Sequence, residues 1–172
     1  MHAELEKPGR TSPSEFLNLK GIEYFMFEED FMENNIRCIP MIIRFKMDKA
    51  GIKLKLSEWN RLSIEEKILL AKLKCNRGEE IERYNKYLKG LIKERTGRDA
   101  TILEVDQNPL WENVCSLPEK LNEILVEFDW QLSIEQWKDL TSLQRFALLK
   151  LCRPGHENKN FPKAMKEFKL LN

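Results

Sequence analysis

The stretch "LTSLQRFALLKLCRPGHENKNF" (residues 140–161) decides the fold. Thr141 and Gln144 stand at capping-box spacing, so each side chain can satisfy a backbone N–H that the first helical turn leaves orphaned. Behind them Leu143, Phe146, Ala147, Leu148, Leu149 and Leu151 place apolar groups nearly all round a helix, which predicts a buried central helix. The run Arg153-Pro154-Gly155 then ends it. A cation suits the negative end of the dipole, a proline cannot continue the helix, and a glycine takes positive φ. Asn160 precedes the amphipathic set Phe161, Ala164, Met165 and Phe168 and is expected to N-cap a last helix over about 161–170.

Working outward, the same pattern occurs once before. "IPMIIRFKMDKAGIKLKLSEWNRLSIEEKILLAKLK" from Ile39 aligns without a gap on "LPEKLNEILVEFDWQLSIEQWKDLTSLQRFALLKLC" from Leu117. Pro40 matches Pro118, Leu54 matches Leu132, Trp59 matches Trp137, and Leu62 matches Leu140. Leu70, Lys72 and Leu73 match Leu148, Lys150 and Leu151. After a one-residue slip, Cys75-Asn-Arg-Gly78 matches Cys152-Arg-Pro-Gly155. Each unit reads as a helix started by proline, a linker, a Leu-x4-Trp turn, a capped helix, a cysteine and a glycine break. Ser63 with Glu66, and Ser133 with Gln136, supply further capping boxes. One such unit buries little alone, so two should share a core. Trp59 and Trp137 are expected as core anchors.

Between the units, Asn76 and Glu79 read as a capping box opening a helix over about 79–97. Ile81, Tyr84, Leu88, Leu91 and Ile92 form its apolar stripe, and Gly97 closes it. Residues 99–107 read as irregular, extended around 101–105. Asn108-Pro109 resembles an N-cap and first-turn proline of a short helix through Trp111. No period-two alternation is sustained, so no sheet is expected. The expected fold is all-α: a compact single-domain helical bundle built from two internally related helical halves. Residues 1–22 form a mostly disordered tail, and 23–172 form the domain. Repeat one covers about 39–78, the connecting helix 79–97, repeat two 117–155 and the C-terminal helix 161–170.

Composition bounds the function. The 172 residues suit one domain, 42% are hydrophobic and 33% charged, and Lys+Arg 29 against Asp+Glu 28 leaves a formal +1. That balance gives no global basic bias toward nucleic acid. No apolar run approaches the ~18 residues of a membrane span. The first residues lack the apolar core of a secretory signal. Cys38, Cys75, Cys115 and Cys152 form no C-x-x-C pair, so free, largely buried thiols in a reducing cytoplasm are expected.

Cys152, His156 and Glu157 invite a metal or catalytic reading. A structural zinc site takes about four ligands in paired spacings, and Cys75 has no histidine near it. A thiol nucleophile needs an imidazole in reach and an orienting group, whereas Cys152 ends an apolar helix and should be buried and inert. No catalytic, cofactor or metal residue is therefore assigned. Pro40, Trp59, Cys75, Pro118, Trp137, Cys152, Pro154 and Gly155 are assigned to the scaffold. The residues left for a protein partner are Arg37, Arg44 and Lys46 at the basic start of repeat one, and Arg153, His156, Glu157, Asn158 and Asn160 in the loop. Two other uses are open: a small-ligand or enzymatic pocket between the repeats that includes His156 and Glu157, and nucleic-acid regulation from a contiguous positive face.

The strings "FEEDF" (residues 27–31), "RCIPMIIRFKMDKAGIKLKLSEWN" (37–60) and "LTSLQRFALLKLCRPGHENKNF" resemble the nitrate reductase-associated protein family over roughly residues 27–168. The resemblance implies a small cytoplasmic protein tied to assimilatory nitrate reductase or to molybdenum-cofactor synthesis. It brings no catalytic activity, active site or bound cofactor. It implies a non-catalytic accessory or maturation factor whose partner is nitrate reductase or its molybdenum-cofactor delivery machinery.

Overall fold

The computed structural model describes residues 22–31 and 36–171, so the expected tail lies outside the described residues apart from Ile22. The described chain is mostly helical. In order it carries a 3-10 helix Met26–Phe31, α1 (Met41–Ala50), β1 (Ile52–Lys53), α2 (Leu56–Trp59), α3 (Ile64–Lys72), α4 (Glu79–Thr96) and β2 (Thr101–Ile102). It continues through a 3-10 helix Leu110–Glu112, α5 (Glu119–Glu127), α6 (Ile134–Asp139), α7 (Ser142–Leu151), a 3-10 helix His156–Asn160 and α8 (Phe161–Glu167).

The capping boxes form where expected. The Ser63, Ser133 and Thr141 hydroxyls accept from the N–H of Glu66, Gln136 and Gln144, whose side chains reach back in turn. The offset from Pro40 to Pro118 also relates the helix starts. Met41, Leu56 and Ile64 open α1, α2 and α3, and Glu119, Ile134 and Ser142 open α5, α6 and α7 at that same spacing. It relates the helix terminators too. Gly51 ends α1 at φ 70, and Asp129 follows α5 at φ 54.

Three expectations need correction. Gly78, not Asn76, is the N-cap of α4, and the Glu80 carboxylate rather than Glu79 reaches back to the Asn76 N–H at 3.0 Å. Pro109 sits at the N-cap of its 3-10 helix, not inside it. A sheet does exist: β1 and β2 pair antiparallel, Ile52 opposite Ile102 and Lys53 opposite Thr101. Strands of two residues are too short to print an alternation in sequence.

Two buried clusters fill the fold. One gathers Ile43, Met47, Ile52, Trp59, Leu70, Tyr84, Leu88 and Ile92 from α1 to α4. The other gathers Leu121, Trp137, Phe146, Leu148, Phe161 and Met165 from α5 to α8, together with Phe25 and Phe27. Helix α1 joins them, because its Met41 belongs to the second cluster and its Ile43 and Met47 to the first. Helix α7 is the central one: Leu143, Phe146, Ala147, Leu148 and Leu151 are all buried, as their all-round apolar pattern requires.

Candidate functional site

Both tryptophans are fully buried core anchors. The Trp59 indole donates to the Ile36 carbonyl at 2.7 Å, and the Trp137 indole donates to the Asn113 carbonyl at 2.8 Å. Over each ring lies a cation from the following capped helix. Lys67 Nζ is 4.9 Å from the Trp59 ring centre, and the Arg145 guanidinium is 5.9 Å from that of Trp137. Both cations are buried, and neither is singled out by the sequence reading, which takes charged residues to the surface. Their one signal is shared position, four residues after Ser63 and after Thr141.

The N-terminal segment is held by two carboxylates. Glu167 of α8 accepts from the Met26 and Phe27 N–H groups at 2.7 and 3.0 Å. Glu28 in turn accepts from the Met41 N–H at 2.7 Å. Helix α1 starts after Pro40, which offers no capping side chain, so Glu28 supplies that cap from a distant part of the chain. Burial pushes the Glu28 carboxyl up to about 7, against the backbone hydrogen bonds and the charge of Arg44.

The expected contact residues divide. Arg37 is exposed and Arg44 half-buried on α1. Lys46 faces elsewhere, because two residues turn an α-helix by about 200°. Its ammonium donates to the Ala71 and Leu73 carbonyls at 2.5 and 2.7 Å, tying the end of α3 to α1, and burial lowers its pKa to about 8. Arg153 is exposed just beyond α7. A further cation, where α1 packs on α7, enters the sequence pattern only as a repeat match: Lys150. Its Nζ meets Asp48 of α1 at 2.7 Å and lies 4.9 Å from the Phe146 ring centre. Burial lowers its pKa, the hydrogen bond and charge of Asp48 oppose that, and Arg153 and Arg44 add smaller downward contributions. Arg44, Lys150 and Arg153 thus share one electrostatic neighbourhood where α1 packs on α7.

The loop after α7 is ordered as a 3-10 helix, His156–Asn160. Gly155 starts it at φ 119, and a Cβ there would meet nothing within 4 Å, so glycine serves the backbone angle and not a tight contact. The side chains of His156 and Glu157 lie outside what is described. Asn158 is half-buried, and its Oδ1 has no partner among the described residues. Asn160 occupies the N-cap position of α8 but makes no capping bond. Its backbone is helical (φ −90, ψ −10) because the 3-10 helix runs straight into α8. It is a buried residue, not a surface one.

The cysteines are free. Cys75 is buried, Cys38 and Cys152 are half-buried, and Cys115 is exposed, which corrects the expectation of largely buried thiols for that residue. Burial pushes the Cys75 thiol up to about 11 and that of Cys152 up to about 12, so both stay protonated at neutral pH. Among the described residues no group of three or more His, Cys, Asp and Glu side chains is placed to hold a metal ion. No described helix is long and apolar enough to cross a membrane.

The profile of the conserved nitrate reductase-associated protein family matches residues 24–168. The chain belongs to that family. The matched span begins just before the Phe25–Phe27 segment and ends at Phe168, whose ring packs edge-on against both phenylalanines at 5.0 and 6.1 Å. In this family member the Glu28 and Glu167 clamp therefore lies inside the matched region. No curated protein and no solved structure matches the chain.

Proposed function

We propose that this chain is a non-catalytic accessory or maturation factor for assimilatory nitrate reductase, acting in the cytoplasm by protein–protein contact. Family membership supplies the association with nitrate reductase. The observation that carries the contact reading is the packing of α1, which carries Arg44, on α7, just beyond which Arg153 is exposed, with Lys150 and Asp48 paired at the junction. The exposed Arg153 and the half-buried Arg44 suit an acidic patch on nitrate reductase or on the machinery that delivers its molybdenum cofactor. Such charges steer encounter and fix register more than they add affinity. The 3-10 helix His156–Asn160 and Arg37 would edge the contact. Burial keeps Cys75 and Cys152 protonated, which suits scaffold roles for these two thiols.

We also infer that the two halves are related copies of one unit. Paired helix starts, paired capping boxes, paired positive-φ terminators and paired Trp–cation stacks support this. In this reading the copies make the scaffold, Lys150 repeats Lys72 within it, and Pro154, His156 and the amides Asn158 and Asn160 belong to what the second copy adds.

The experiment is deletion of the gene, followed by assay of nitrate reductase protein, its molybdenum content and its activity. The expected result is enzyme protein present with reduced molybdenum and activity. Full activity and normal growth on nitrate in the deletion would overturn the proposal.

A further inference from the structure

Beside the basic junction, where Asp48 and Lys49 of α1 face residues 103–112, lies a cleft of about 230 Å³. Its floor is Trp111, half-buried and packed edge-on against Phe146 at 5.0 Å and Phe45 at 6.2 Å. The floor is fixed from behind, since buried Arg145 donates through Nε to the Trp111 carbonyl at 2.6 Å. One wall is Leu103 and Val105, the latter 37% exposed. That wall is pinned too. The Leu103 N–H donates to the Gly51 carbonyl at 2.9 Å, and a Cβ at Gly51 would come within 2.9 Å of the Leu103 carbonyl and of Val105 Cγ2. Gly51 therefore serves both its positive φ and this close approach.

The rim is charged in one direction. Asp48, Glu104, Asp106 and Glu112 line the cleft against a single cation, Lys49, in a chain whose formal net charge is +1. Lys49 is turned onto the Phe45 ring, 5.1 Å from its centre, and Asp48 is paired with Lys150. The volume is below the roughly 300–1,000 Å³ of a small-molecule site, and suits one large side chain. The same connecting segment also exposes Ile102 and Leu110.

We propose that this cleft is a second docking site, for a partner-protein segment in which a large apolar side chain is flanked by arginine or lysine. Trp111, Leu103 and Val105 receive the apolar group, and Glu104, Asp106 and Glu112 receive the cations. Apolar walls held before binding lower the ordering cost, and an acidic rim selects basic partners and rejects acidic ones.

The test titrates the full chain with three peptide probes at about physiological salt: Arg-Arg-Phe-Arg-Arg, Glu-Glu-Phe-Glu-Glu and Arg-Arg-Gly-Arg-Arg. The readout is the NMR shift of the Trp111 indole N–H and the Val105 methyls. The first probe should shift both saturably, and the other two should bind at least about tenfold more weakly. Glu104→Lys combined with Asp106→Asn should weaken the first probe about tenfold with unchanged melting; asparagine keeps the acceptor that Asp106 offers the Asn108 N–H. Absent shifts, equal binding by the glycine or glutamate probe, or affinity unaffected by the double variant would overturn the proposal. So would a chain that dimerises through the cleft and is dissociated by the double variant, since a second copy would then be its occupant.

Discussion

The Trp59 and Trp137 sites are built alike and used differently. In both, a fully buried indole donates to an upstream carbonyl and carries a buried cation on its face. In the first, the cation is Lys67, whose ammonium also approaches the Ile36 carbonyl at 3.4 Å, so the indole and the cation converge on one acceptor. Ile36 holds φ 54 there, a strained angle for a β-branched residue that costs on the order of 1–3 kcal/mol. In the second, the cation is Arg145. Its planar fork reaches the Trp111, Leu140 and Trp137 carbonyls and the Ser142 hydroxyl. A point charge closes a site locally, and a fork ties several segments together. The first site fastens the chain just before α1, and the second also fastens the segment between the halves, and with it the floor of the acidic cleft.

The widest-reaching way to break the comparison is to remove the anchors. Trp59→Ala and Trp137→Ala should each destabilise the fold by about 3–5 kcal/mol, the cost of emptying an aromatic site. Urea denaturation measures this, and a site that loses under 1 kcal/mol is no anchor.

Next is the strap that leads into the first site. Glu28 is raised to about 7 from 4.5, so its protonated form favours the folded chain. Its stabilisation is fully present below pH 4.5 and is lost as pH rises through about 7. Glu28→Gln keeps the carbonyl acceptor for Met41 and removes the titration. The stability of the variant relative to the native chain should therefore rise by on the order of 3 kcal/mol between pH 4.5 and pH 8. Among the described residues, the charged groups facing Glu28 are Arg44, which opposes the shift, and Glu167, which adds to it. A difference constant across that range contradicts the reading.

The difference between the cations should be smaller and asymmetric. Arg145→Lys should cost about 1.5–3 kcal/mol, the worth of hydrogen bonds to a charged group, and should broaden the Trp111 indole resonance. Lys67→Met keeps the volume and removes a buried charge, so it should lie within about 1 kcal/mol of the native chain. Equal losses at both positions would erase the distinction between point and fork.

Much of this scaffold was legible because it rests on local rules. Capping boxes, proline starts and the Trp spacing are written in neighbouring residues, and Ser63, Ser133 and Thr141 cap as read. What was not legible depends on distant partners. Glu28 looks like one acid in "FEEDF" until Met41 is brought to it. Lys46 looks like a surface cation until the end of α3 arrives. The β1–β2 pair joins residues on either side of α4, and Asn160 fails as a cap because a 3-10 helix forms before it. The proposed contact surface was half legible: Arg44 and Arg153 stand out from local charge. Lys150 passed as a repeat match because its pairing with Asp48 is made by α1 packing on α7.

The central claim is that the basic junction contacts a nitrate reductase partner while the basic face of α4 only solvates the fold. The most direct measurement is nitrate reductase activity in a deletion strain complemented with Arg44→Glu/Arg153→Glu, beside Lys86→Glu/Lys89→Glu on the exposed face of α4, each checked for unchanged melting. The account predicts activity near that of the deletion for the first pair and full restoration for the second. Full restoration by both would contradict it.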